Sequence, residues 1–100
     1  MHTSSLDSFV LEDANTYIQS TSEVDRAKIL AHMALLRAGD HEILHTKQLS
    51  GQVRELIVKQ HRIVYFVKNQ ILYFVNAFKK QSTKTPKRIL DHAKKIYKSI

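Results

Sequence analysis

The chain has 100 residues, no cysteine, two glycines, one proline and a formal net charge of +7. That length supports one modest core and leaves no room for a second catalytic module, and the lack of cysteine excludes disulfides and thiolate metal ligands. No stretch approaches the roughly 20 apolar residues of a membrane span and no apolar run of a signal peptide opens the chain, so a soluble, cytoplasmic protein is expected. The charge is unevenly spread. Residues 1–50 carry 4 basic and 7 acidic side chains, whereas residues 51–100 carry 12 and 2. A cationic second half is the footprint of a surface that meets phosphates, and also of a merely solvated basic face.

In chain order, residues 1–13 are the least legible. Leu6 to Leu11 is a candidate edge strand, with Phe9-Val10-Leu11 its strongest part; a helical start capped at Ser5 or Asp7 is the alternative. Ala14, Tyr17 and Ile18 share one face of a short helix over 14–20. A second helix follows over 22–38, opened by a capping box at Ser20/Glu23 or Ser22/Asp25 and closed by Gly39 in a left-handed conformation. Val24, Ala27, Ala31, Leu35 and Ala38, with Leu30 and Ala34, form the stripe expected to lie on a sheet. Asp40 to Gln52 reads as a polar connection.

From Val53 onward, three runs rich in β-branched and aromatic residues stand between short polar breaks, Lys59-Gln60 and Lys68-Asn69. They predict an antiparallel meander with strands near 52–58, 62–68 and 70–77. Thr85-Pro86 reads as an N-cap and first position of a last helix over 86–98, with Ile89, Leu90, Ala93, Ile96 and Tyr97 on its apolar side. No standard enzyme motif is present. The six histidines are scattered at 2, 32, 41, 45, 61 and 92. Only His41 and His45 have helical ligand spacing, and without a third ligand no metal site is expected. His61 and His92 read as surface or rim side chains.

The spacing Glu55-Leu56, Arg62-Ile63-Val64-Tyr65, the run Ala77 to Pro86 (AFKKQSTKTP) and then Ala93 resembles the HigB-like branch of the RelE/ParE toxin superfamily, often labelled phage-derived. The likeness extends upstream through Tyr17-Ile18, Asp25 to Leu30 and Lys47-Gln48-Leu49, covering roughly residues 14 to 97. It implies an α+β fold: two N-terminal helices packed on a central antiparallel sheet, with a C-terminal helix and an N-terminal strand added at the sheet edge. It implies the toxin of a type II toxin–antitoxin system, a metal-independent, ribosome-dependent mRNA endonuclease needing no cofactor. The partners would be a cognate antitoxin, a helix-turn-helix protein encoded nearby, together with the ribosome and its mRNA. A ParE-like gyrase poison and a catalytically degenerate, antitoxin-binding relative are the alternatives.

Cutting RNA without a metal uses the substrate's 2′-hydroxyl as nucleophile and needs a proton acceptor, a cationic clamp on the phosphate and a donor for the leaving oxygen. The resemblance carries these roles to Arg62, Lys79 and Lys80, with Tyr97 as an aromatic near the end of the last helix. Ile57 departs from the family pattern, where an active-site arginine usually follows Glu-Leu. Arg54, Lys59 or Lys47 would have to replace its charge. Lys84, Lys87, Arg88, Lys94 and Lys95 complete the set expected to contact RNA. Arg62 could instead pair with Glu55 on the facing strand, and Tyr97 could be core.

Overall fold

The structure, a computed structural model, describes residues 5–100, so His2 of the metal reading lies outside the described residues. Five strands and three helices follow in the order β1 (Asp7–Val10), α1 (Glu12–Ser20), α2 (Glu23–Ala38), β2 (His45–Ser50), β3 (Val53–Val58), β4 (His61–Lys68), β5 (Ile71–Lys79) and α3 (Lys87–Ser99). The sheet order is β1-β5-β4-β3-β2. The meander pairs antiparallel in sequence order, as its short breaks require, while β1 runs parallel to β5 over Asp7↔Ile71 to Val10↔Phe74. The α+β expectation holds, and the open choice at the N-terminus resolves as an edge strand.

Turn chemistry explains the hairpins. Lys59 takes a positive φ in the β3–β4 turn. The next turn is Asn69-Gln70, one residue later than Lys68-Asn69, because both its residues are left-handed and Lys68 stays in the ladder opposite Ile71. Polar residues 45–50 form a strand where a connection was expected. His45↔Ile57 to Gln48↔Arg54 pair by backbone bonds that do not depend on apolar side chains.

Helices cover both faces of the sheet. On one, α1 and α2 pack Ala14, Ile18, Ile29, Met33 and Leu36 against Leu56, Ile63, Tyr65, Leu72 and Phe74. On the other, α3 lays Ile89 and Ala93 over Val53, Val64, Phe66, Tyr73 and Val75. The central strands are therefore buried on both sides and read as nearly continuous apolar runs. The buried stripe of α2 is Ile29, Met33 and Leu36, not the alanine-rich one; Val24 is 72% exposed and Leu30 45%. Bulk decides this, since burial gain scales with apolar area and alanine offers little. Ser22 caps α2 by accepting from the Asp25 amide, and Gly39 closes it at φ 79°. At α3, Pro86 occupies the cap position and Thr85 makes no cap bond, its hydroxyl having another partner.

A bulge sets which side chains meet. Phe66 pairs with Tyr73 and Tyr65 with Phe74, but Val64 pairs with Asn76, so Val75 is an extra residue on β5. The Asn76 side chain accepts from the Ala77 amide there. Past the bulge the alternation of β5 is reversed: Phe78 faces α3 beside Arg62, and Lys79, opposite His61, faces α1 and α2.

Candidate active site

At the end of the sheet where β4 begins, strand geometry builds a cleft. Arg62 lies opposite Ile57 on one side and Phe78 on the other, and Glu55 lies opposite Lys47. All five side chains leave the α3 face of the sheet. The segment linking β5 to α3 closes over them with Lys80, Ser82, Thr83, Lys84 and Thr85, leaving a cavity of about 80 Å³. The Lys80 amide donates to the Gln60 carbonyl at 2.7 Å, which fixes where this segment leaves the sheet.

Glu55 is the acid of the cleft. It is only 4% exposed and accepts from the Thr85 hydroxyl at 2.9 Å, the bond that occupies the threonine read as a helix cap. The Arg62 Nε stands 3.9 Å from its other oxygen, while Arg62 donates to the carbonyls of Lys59 and His61 at 2.9 and 3.0 Å. The anticipated Arg62–Glu55 pairing thus exists, as a loose diagonal contact inside the cleft. Four cations, Lys47, Arg62, Lys80 and Lys84, line the same cleft as a single buried carboxylate, and Arg62 is the one within 4 Å of it.

Of the residues singled out in the sequence, the fold brings these four together. Ile57 lines the same cleft, so the position that departs from the expected pattern opens into it. Among the proposed substitutes only Lys47 lines that cleft. Arg54 donates to Thr46 and Tyr65, and Lys59 is bound to Asp25 at 2.7 Å. Lys79 is turned away by the bulge. Tyr97 lies at the opposite end of the sheet, edge-on to Phe66 with centroids 5.0 Å apart and the Lys68 ammonium over its ring at 4.4 Å. Lys94 sits near Tyr97, Lys87 pairs with Asp91 at 3.4 Å, Arg88 lies near Lys79, and Lys95 is exposed on α3.

Sequence reasoning missed a second polar cluster on the other face. His61, read as a rim side chain, is 4% exposed. Its Nε2 lies 2.8 Å from Asp25 Oδ2 and its Nδ1 2.6 Å from the Tyr17 hydroxyl, while Lys59 donates to Asp25 Oδ1. Hydrogen bonds from His61 and then Lys59 hold the Asp25 carboxyl below the usual range. Burial, then the Asp25 charge, pushes the Tyr17 phenol up. The i, i+3, i+4 pattern placed Tyr17 on the inner face of α1, but nothing in the sequence linked it to His61. His92, by contrast, is exposed as expected. Among the described residues there is no cluster of three His, Cys, Asp or Glu side chains able to hold a metal, and no helix long and apolar enough to cross a membrane.

Three helices on a five-stranded sheet are an arrangement shared with a solved structure. The archaeal RelE–RelB complex from Pyrococcus horikoshii OT3 contains a chain similar to this one with a TM-score of 0.67 at 12% identity, over 76% of this chain and 96% of that one. The profile of the family described as "Phage derived protein Gp49-like (DUF891)" matches residues 16–98. The chain belongs to this family, which is of the RelE toxin type. A search of curated proteins finds no match.

Proposed function

We propose that this chain is the toxin of a toxin–antitoxin pair and acts as a metal-independent, ribosome-dependent mRNA endonuclease. The supporting observation is the cleft that Lys47, Arg62, Lys80 and Lys84 line together with the buried Glu55. A cluster with cations in excess is set for a phosphodiester that becomes more negative as it turns pentacoordinate. In this reading a Glu55 oxygen takes the proton of the ribose 2′-hydroxyl. The freed oxygen attacks the adjacent phosphorus, and the bond to the 5′-oxygen breaks. Lys80 or Lys84 supplies the proton that leaves with that oxygen, giving a 2′,3′-cyclic phosphate and a 5′-hydroxyl. Arg62, anchored by two backbone carbonyls, holds the phosphate without having to be ordered first.

The proposed partners are the ribosome with its mRNA, hence a cytoplasmic site of action, and an antitoxin. The similar archaeal RelE was solved with RelB, which favours a protein partner here too. An acidic segment of that partner would meet the cationic second half of this chain, so binding should weaken with salt. Cleavage of mRNA on programmed ribosomes in a purified translation system is the test: fragments ending in 2′,3′-cyclic phosphate are expected. Intact mRNA together with arrested growth on expression would exclude the nuclease and leave a poison of another target.

A further inference from the structure

A second cavity, of about 310 Å³, adjoins the cleft at the rim of the sheet. Phe78, Ser82 and Lys84 line both, so a chain of nucleotides leaving the cleft meets this cavity next. Lys79, Arg88, Tyr17 and Gln81 complete its polar lining. No acidic residue lines it, and among the described residues neither Lys79, Lys84 nor Arg88 has an ion-pair partner. Two of these cations have no place in the reaction described above, and each comes from a different element.

Tyr17 gives the cavity its chemistry. Asp25 as carboxylate only accepts hydrogen bonds, so the His61 Nε2 facing it at 2.8 Å carries the proton. In that tautomer Nδ1 is the acceptor, and the Tyr17 hydroxyl donates to it at 2.6 Å. The phenolic proton is committed inward. Toward any ligand the Tyr17 oxygen offers lone pairs only, so the group it recognises is a donor. A ribose 2′-hydroxyl is such a donor and deoxyribose lacks it.

We propose that the rim cavity is a second nucleotide subsite, in which Lys79, Lys84 and Arg88 hold a phosphate of the RNA next to the scissile one and Tyr17 accepts a hydrogen bond from that nucleotide's 2′-hydroxyl. The inference rests on the reading of the cleft as an RNA site and adds a means of telling RNA from DNA outside the reacting bond. Tyr17 is a specificity residue, and His61 and Asp25 are positioning residues that fix its proton.

Binding of a fluorescent single-stranded tetraribonucleotide to the full chain at low salt tests this, with single 2′-deoxy substitutions at each nucleotide. In the wild type, one deoxy substitution flanking the scissile nucleotide should weaken binding roughly 3- to 10-fold, the range for one lost hydrogen bond. In Tyr17→Phe, which keeps the ring, that penalty should vanish. Lys79→Gln and Arg88→Gln should weaken RNA and DNA binding alike and reduce the salt slope by about 0.7 each, while Lys28→Gln, the same charge change on the exposed side of α2, should leave it unchanged. Deoxy penalties equal in wild type and Tyr17→Phe, or no binding by the wild type, overturn the subsite. A Tyr17-dependent penalty in a protein that cleaves no mRNA overturns the nuclease reading instead and leaves the subsite standing.

Discussion

His61 and Arg62 are neighbours on one strand, yet they serve opposite faces of the sheet and two different kinds of polar cluster. On the helical-pair face, His61 has both ring nitrogens partnered and Asp25 is met by both His61 and Lys59. On the α3 face, Arg62, Lys47, Lys80 and Lys84 line a cleft with one carboxylate, which accepts a hydrogen bond from a neutral threonine. A closed network clamps layers together, whereas cations left in excess over acid are poised for an anion that is not part of the chain. The difference is one of satisfied valence.

The largest effects should come from breaking the open cluster. Arg62→Ala and Lys80→Ala are each expected to slow single-turnover mRNA cleavage about 10²-fold or more even at saturating enzyme. Lys79→Ala, on the far side of the bulge, should recover the wild-type rate at saturation and lose affinity only. If all three variants behave alike, the bulge does not divide binding from chemistry.

Breaking the closed cluster should cost stability. His61→Ala leaves Tyr17 without its acceptor and Asp25 with one donor fewer, a loss of about 1–3 kcal/mol by urea denaturation. Because the folded Asp25 carboxyl is held below its ordinary value of 3.8, its stabilisation is full above that pH and disappears as the pH falls through the lowered value. Asp25→Asn should therefore be less stable than wild type at pH 6 and approach it in strong acid. A constant difference across that range would mean that the carboxylate charge contributes nothing.

A smaller change sharpens the comparison from the other direction. Ile57→Arg adds a cation to the open cluster at a half-buried position that already lines it. Cleavage is expected to be kept or raised several-fold, with little change in Tm. A slower enzyme would show that Ile57 shapes the cleft rather than leaving it short of charge.

The meander and the last helix could be read from residues because their apolar runs are long and their breaks short. Other parts escaped for separate physical reasons. Strand β2 is held by backbone pairing at an edge, which leaves no trace in the composition of HTKQLS beyond Leu49. The inner face of α2 was misassigned because alanines count as apolar in a periodic pattern but contribute little area. Lys79 and Lys80 looked equivalent since nothing in Val75-Asn76 announces a bulge. The helical period put Tyr97 on the correct face of α3 and said nothing about which end of the sheet it meets. Glu55 was visible only as a partner for Arg62. Its hydrogen-bond donor Thr85 stands thirty residues away.

The strand order also has a consequence for biosynthesis. Strand β1 is made first, but its partner β5 is made last among the strands and completes the pairing of the central strand β4. A chain emerging from the ribosome cannot assemble its centre until residues 71–79 are free, and α1, which packs chiefly on β5, must wait with its apolar face unburied. Folding is set by contacts far apart in sequence, which makes it slow and leaves the growing chain open to aggregation and to chaperones. Lys80 and Lys84 follow those residues. The cationic cleft is therefore completed only after the last strand has emerged.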